Sequence, residues 1–356
     1  MPVKPRAAVV IGRFQPFHNA HKQLIDFALE QAESVVICLG SCYQPRTMKN
    51  PWTFHERMDM IRRVYLHTRE KDWDRITVVP LRDHHYSNHL WVAEVQNRVG
   101  QAIEQWIAKD PETRESVFGK VKREEIVLVG HQKDDSSFYL SIFGWRALDP
   151  GKFKDINATD LREQFLENGG NMSDDLPIQV RELMGLLRTT PAYQRLTEEY
   201  QFLKQYREQW KSTPFPVQFV TVDAVVTQAG HVLLVKRKGA PGEGLWALPG
   251  GFVNPKEKIE EAVIRELREE TCAHIAPEAL VPTAQRVYDH PDRDLRGRII
   301  THAFLFRLPE KDHLPRVQGG DDAAEAQWFS LGDFLGMEQE IYSDHFHIIN
   351  DLLQKE

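Results

Sequence analysis

The stretch GRFQPFHNAH, residues 12–21, sets Arg13, His18 and His21 directly behind a short apolar run. If that run is a strand and a helix follows, the two imidazoles stand at the helix N-terminus. There the first backbone N–H groups lack partners and the helix dipole is positive, so anionic oxygens are favoured. Two imidazole donors and a fixed guanidinium at such an end would stabilise charge developing on a transferred phosphoryl group, with no covalent nucleophile. A capping or buried histidine pair accounts for the same spacing, and the pattern alone leaves both readings open.

A second dense stretch, GGFVNPKEKIEEAVIRELREET at residues 250–271, gathers carboxylates. At about 100° per residue, with Ile259 at zero, Val263 and Leu267 fall near 40° and 80°, Glu266 and Glu270 near 340° and 20°, and Glu269 near 280°. Two carboxylates thus flank the apolar stripe, where burial is costly unless they are paired or hold a cation. Hard carboxylates select Mg²⁺, or alternatively Mn²⁺, over zinc, and the glycines of the preceding LPGG permit the tight loop such a site needs. The plainer reading is a solvated acidic helix paired to Arg265 and Arg268; Glu260, near 100°, shows that angle alone does not exclude it.

The elements that must carry these residues follow from periodicity. AAVVIG (7–12) reads as a buried strand, HKQLIDFALEQA (21–32) as an amphipathic helix and SVVICLG (34–40) as another buried strand. Helices near 54–68 and 90–108 alternate with strands ITVVPL and EIVLVG, which predicts a parallel sheet covered by helices and a ligand edge at the strands' carboxyl ends. The character changes after Asn171 to charged and aromatic helix, ended by Pro214 and Pro216. From Phe219 the pattern is strand-rich around one strong helix at about 256–271. The expected division is 1–185, a helical connector 186–213, and a mixed α+β domain 214–356.

Composition fits two globular domains, since 356 residues exceed one typical domain and 41% hydrophobic with 27% charged residues is ordinary. A net charge of −7 gives no global basic footprint, so neither nucleic acid nor a membrane is an expected partner. No run approaches the roughly 18 apolar residues of a membrane span. Cys38, Cys42 and Cys272 form neither a disulfide framework nor zinc knuckles, and MPVKPRAAVVIGRF lacks the apolar core of a signal peptide; a cytoplasmic protein is expected.

The first stretch resembles the nucleotidyltransferase signature GRFxPxHxGH, and GRFQPFH in particular is similar to archaeal-type nicotinamide mononucleotide (NMN) adenylyltransferases, with Ala20 at the signature's glycine. NPWTFHER (50–57), GHQKDDSSFYL (130–140) and INATDLR (156–162) also resemble that family. The resemblance implies a Rossmann-like fold in which the 5′-phosphate of NMN attacks the α-phosphorus of ATP, giving NAD and pyrophosphate. His18 and His21 would stabilise the α-phosphate, Arg13 and Arg162 bind phosphates, and Gly12, Phe14, Asn157 and Thr159 complete the substrate site. Trp91 would stack on the nicotinamide ring, although core packing explains a tryptophan at a helix start too. A pantetheine-phosphate or cytidylyl-transferring relative is the rival within the same fold.

The second stretch resembles the Nudix box, GX5EX7REUXEEXGU, matching every charged position from Glu257 to Glu270, with Cys272 in place of the last glycine. This implies an α/β/α sandwich, a metal set of Gly250, Glu266, Glu269 and Glu270, and hydrolysis of a nucleoside diphosphate derivative by cation-activated water. With Cys272 there, the turn ending the helix is expected to differ from the usual one. YDHPDRDLRGRIITHAFLF (288–306) looks like the ADP-ribose branch, with Arg293, Arg296 and Arg298 as phosphate contacts; a solvated arginine-rich loop is the plainer alternative. Glu325 is a candidate general base. The two resemblances together point to a bifunctional enzyme acting on ATP, NMN, NAD and ADP-ribose, with a ligand-sensing second domain as the other class of function. Self-association is left open.

Overall fold

The computed structural model describes residues 4–108, 122–131, 139–151, 153–167, 172–311 and 313–354. It divides into two compact units, Met1–Thr197 and Glu198–Glu356.

In the first unit, strands β1 (Ala7–Gly12), β2 (Ser34–Leu39), β3 (Ile76–Pro80), β4 (Ile126–Val129) and β5 (Arg146–Leu148) form one sheet in the order β3-β2-β1-β4-β5. Every pairing is parallel. The helices are α1 (Asn19–Gln31), α2 (Phe54–Thr68), the short α3 (Glu70–Trp73), α4 (Asn88–Ile107), α5 (Ala158–Leu166) and α6 (Ile178–Leu187). A sheet covered on both faces needs strands apolar on both sides, and β2 is buried at all six of its positions, SVVICL. The chain leaves β1 toward β2 on one side while β4 pairs on the other, so the order reverses at β1. That crevice at the carboxyl end is where an open parallel sheet binds ligands.

Helix α7 (Pro191–Glu208) crosses the division between units. Its later turns carry Phe202 and Tyr206, whose rings, followed by that of Trp210 just beyond the helix end, run in sequence toward Phe219 and then Phe252. Aromatic packing explains why this stretch reads as aromatic helix while keeping a charged face.

The second unit holds a mixed sheet, β10 (Ala284–Tyr288), β11 (Arg298–Arg307), β6 (Gln218–Gln228), β7 (His231–Arg237) and β12 (Ala323–Ser330) in that order, with β8 (Trp246–Ala247) on β7 and β9 (Gly250–Phe252) on β6. Strands β6 and β11 run parallel in unbroken register from Gln218 opposite Arg298 to Thr227 opposite Arg307. Helix α8 (Ile259–Thr271) lays Ala262, Val263 and Leu267 on Val222, Ala224, Val226, Phe304 and Phe306. Alternation turns Asp223 to the opposite face, toward His345 of the C-terminal helix α10 (His345–Leu353). A short α9 (Leu331–Phe334) precedes that helix.

The usual helix ending is kept at α8, contrary to what its cysteine leads one to expect. The turn ending α8 is left-handed despite the cysteine, since Cys272 takes φ 47° and ψ 25°, the conformation a glycine would adopt. A cysteine held there costs about 1–2 kcal/mol, so the turn is kept at the expense of some stability.

Candidate active sites

His18 is the N-cap of α1. Its Nδ1 accepts from the His21 backbone N–H at 3.4 Å, and the His21 Nδ1 accepts from the His18 backbone N–H at 3.3 Å. The rings stack with centroids 3.5 Å apart. The capping reading and the chemical reading are therefore one arrangement. Each neutral ring accepts at Nδ1, so its proton resides on Nε2, and the cap fixes the tautomer that presents a donor. His18 is buried, and the Phe14 ring braces His21 from 4.5 Å.

The loop between β1 and α1 is held from three directions. Gln15 donates its amide to Trp52 O at 2.9 Å and accepts from Trp52 N at 3.1 Å, locking it to the NPWTFHER segment. Arg162 of α5 donates to Gln15 O at 2.8 Å and to Thr159 Oγ1 at 2.9 Å. Asn157 caps that helix, accepting from Thr159 N at 2.9 Å. Phe14 is buried with φ 52°, its ring packed against Gly12, where an added Cβ would lie 3.0 Å from it. The separate motifs thus converge on residues 13–16; of GHQKDDSSFYL, residues 132–138 lie outside the described residues.

Among the described residues neither Arg13 nor Arg162 makes an ion pair. Burial, reinforced by Arg13, lowers the Arg162 guanidinium to about 10. The Glu163 carboxylate only partly offsets that repulsion, and cations held close together without an ion pair favour an anion between them. Trp91, in the first turns of α4, packs on Phe143 and Tyr139 at the edge of the core, which is its structural reading.

In the second unit, Gly250, Glu266, Glu269, Glu270, Arg293 and Arg296 all line one cavity of about 460 Å³. Glu270 is 9% exposed and accepts from the Gly250 N–H at 2.9 Å. Burial pushes its carboxyl up to about 8 against that hydrogen bond, and the charges of Glu266 and Asp223 add to the rise. Burial also raises Glu266. Arg265 binds Glu257 at 2.7 Å, Glu266 at 2.8 Å and Glu269 at 3.0 Å. Its hydrogen bonds hold Glu257 down at about 2.

Among the described residues no three His, Cys, Asp or Glu side chains already converge as a cation site. The donor set nevertheless fits a hard divalent cation. A Cβ on Gly251 would lie 2.6–2.9 Å from the Glu266 carboxyl, so the glycine leaves the room that carboxylate occupies. Gly250 is packed as tightly, its hypothetical Cβ 2.1 Å from Val222 O. Arg265 stands in as the cation among the carboxylates, so of the paired-helix reading the Arg265 half is present.

The predicted arginines separate. Arg293 is buried in a two-bond pair with Asp344 at 2.9 and 2.8 Å, which ties its loop to the start of α10. Arg296 forks onto Asp294 and lies over the Phe252 ring at 5.2 Å. Arg298 pairs with Asp289 and is not among the residues lining the cavity. Glu325, on β12, pairs with Lys236 at 3.1 Å, also away from the lining. Sequence reasoning missed Asp223, Tyr342 and His345, which do line it. Buried in alternation or far along the chain, they carry no local pattern.

These features define a nucleotidyltransferase fold and a Nudix fold in one chain. A NUDIX domain model matches residues 217–352 and a cytidylyltransferase-like model residues 9–136. The first unit is similar to a nicotinamide/nicotinic acid mononucleotide adenylyltransferase of Acinetobacter baylyi, 33% identical across 54% of this chain and 92% of that protein. The second is similar to an ADP-ribose pyrophosphatase of Methanocaldococcus jannaschii, 38% identical across 38% of this chain and 73% of that one. A crystal structure of a bifunctional NMN adenylyltransferase/ADP ribose pyrophosphatase from Francisella tularensis, complexed with AMP and manganese, aligns over 99% of both chains at 34% identity and TM-score 0.87. The chain belongs to this bifunctional NMN adenylyltransferase/ADP-ribose pyrophosphatase family.

Proposed function

We propose that the first unit transfers the adenylyl group of ATP to NMN and that the second hydrolyses ADP-ribose to AMP and ribose 5-phosphate. In the first reaction an oxygen of the NMN 5′-phosphate bonds to the α-phosphorus of ATP while the bond to the bridging oxygen breaks, releasing pyrophosphate. Arg13 and Arg162 hold the phosphates, and the Nε2 protons of His18 and His21 meet the charge that grows on the α-phosphoryl oxygens. No proton need leave the attacking phosphate, which is why the site requires donors and no base. The observation that carries this reading is the convergence of Gln15, His18 and Arg162 on one loop at the crevice beside β1.

In the second unit Glu266, Glu269, Glu270 and the Gly250 backbone would hold the divalent cation, Mg²⁺ in the working enzyme with Mn²⁺ as substitute. When bound, that cation supplies charge neutralisation and activation of water. Arg296 orients phosphate or base at the cavity wall beside Phe252. Three free cysteines suit a reducing compartment, and the cytoplasm is the proposed place of both activities.

The test supplies the full chain, with Mg²⁺ or Mn²⁺, with NMN plus ATP in one reaction and ADP-ribose in another, and separates products by chromatography. NAD in the first and AMP with ribose 5-phosphate in the second are expected. NAD formation without ADP-ribose cleavage would refute the assignment of the second site.

A further inference from the structure

Arg57 of α2 is 0% exposed, and among the described residues it makes no ion pair. Its guanidinium instead donates to backbone carbonyls: Arg13 O at 2.6 Å, Gly40 O at 2.8 Å, Thr53 O at 3.3 Å and Ser41 O at 3.4 Å, with the Cys42 thiol at 3.2 Å. Arg13 and Gly40 directly follow the adjacent strands β1 and β2 at the carboxyl edge of the sheet. One nitrogen, Nη1, therefore joins the two loops that flank the crevice, while Nε and Nη2 hold the guanidinium plane from Thr53, Ser41 and Cys42.

A charge buried in this way is costly for stability, and an apolar side chain of similar volume would fill the space. Burial, with the repulsion of Arg13 and only partial help from the Asp83 carboxylate, lowers the guanidinium below its ordinary range. The arrangement also controls the reach of Arg13. Its Cγ lies 3.6 Å from where a Gly40 Cβ would stand, so the Arg13 stem crosses directly over the residue whose carbonyl Arg57 grips. Fixing Arg13 O and Gly40 O together fixes the base of that stem and the surface it lies on.

We infer that Arg57 is a positioning residue for adenylyl transfer, acting through the Arg13 and Gly40 carbonyls to aim the Arg13 guanidinium. This rests on the adenylyltransferase reading of the first unit. Lysine keeps the charge but offers one nitrogen, so it lacks the Nε and Nη2 donors to Thr53, Ser41 and Cys42 that fix the direction of the nitrogen gripping both carbonyls. A small misplacement of a phosphate-holding group affects the chemical step more than ground-state binding.

The experiment measures steady-state adenylyl transfer in the full chain for Arg57→Lys, Arg13→Ala and the double variant, with folded fraction followed by circular dichroism. Arg57→Lys is expected to lower kcat at least about tenfold, with KM for ATP and NMN within about threefold. In the Arg13→Ala background the loss should shrink by at least about fivefold, since the residue it positions is gone. A kcat loss below tenfold, or the same loss in both backgrounds, overturns the inference. If Arg57→Lys does not fold, Arg57→Gln, which keeps two donors without charge, replaces it; failure of both to fold makes the role structural and overturns the inference as well. A wild-type chain that forms no dinucleotide from NMN and ATP sinks the activity itself, whereas a wild-type chain that does, beside a fully active Arg57 variant, sinks this inference alone.

Discussion

The first unit's site is built around Arg13, Arg57 and Arg162, none in an ion pair among the described residues, whereas the second is built around carboxylates that already have a cation, Arg265, among them. Guanidinium groups stay charged at any physiological pH, and those of Arg57 and Arg162 are held in place by backbone carbonyls, a hydroxyl and a thiol, while the Arg13 backbone carbonyl is one of the groups Arg57 grips. Carboxylates have a second way out. Glu270, raised to about 8 by burial even with Arg237 acting against the rise, can take up a proton. An anion site of arginines is thus permanently charged, while in the carboxylate site burial favours a proton on Glu270 that a bound cation would displace.

The sharpest way to break this contrast is Glu270→Gln. It should lower ADP-ribose hydrolysis roughly a thousandfold, equivalent to about 4 kcal/mol of barrier, and leave dinucleotide synthesis unchanged; retained hydrolysis would remove Glu270 from the reacting centre. His18→Ala probes the other half. Loss of a preorganised donor and of the α1 cap together should cost about 10²–10³-fold in adenylyl transfer, with ADP-ribose turnover as the internal control. Equal loss of both activities would contradict two independent sites.

The protonation difference is read by pH. A carboxyl whose folded pKa lies above its unfolded one binds its proton more tightly in the native state, so the cation-free second unit should lose stability as pH rises from about 4.5 to about 8 and level off beyond. Over the upper part of that window a cation must expel the proton, so Mn²⁺ affinity measured by calorimetry should climb by up to about tenfold per pH unit and flatten above pH 8. A flat profile would mean that Glu270 is ionised at rest. The smallest effect is expected at Cys272→Gly, which relieves the left-handed turn and should raise thermal stability by roughly 0.5–1 kcal/mol without altering either activity.

Most of the scaffold was legible because it is periodic. AAVVIG, SVVICLG and EIVLVG are strands buried on both faces, and the carboxylates of α8 fall beside its apolar stripe as the helical angle requires. The ligand edge followed from the β-α-β order. What stayed hidden are contacts that end on backbone atoms or join distant residues. Nothing near Arg57 marks it as a brace, because its partners are carbonyls that every residue possesses. Arg293 reads as a surface arginine until Asp344, across the unit's chain, closes on it. In both sites the plainer reading also described something present, since His18 and His21 do cap a helix and Arg265 does pair with its neighbours.

The bracing of residues 13–16 has a consequence for when order is established. A loop leaving a strand is ordinarily free to sample many backbone states, and a ligand that needs one of them must freeze the rest on arrival. Here Gln15 is stitched to Trp52 and to Arg162, so the loop is immobilised as the sheet forms. Part of the entropy of that segment is surrendered during folding, so nucleotides meet a crevice with less left to lose.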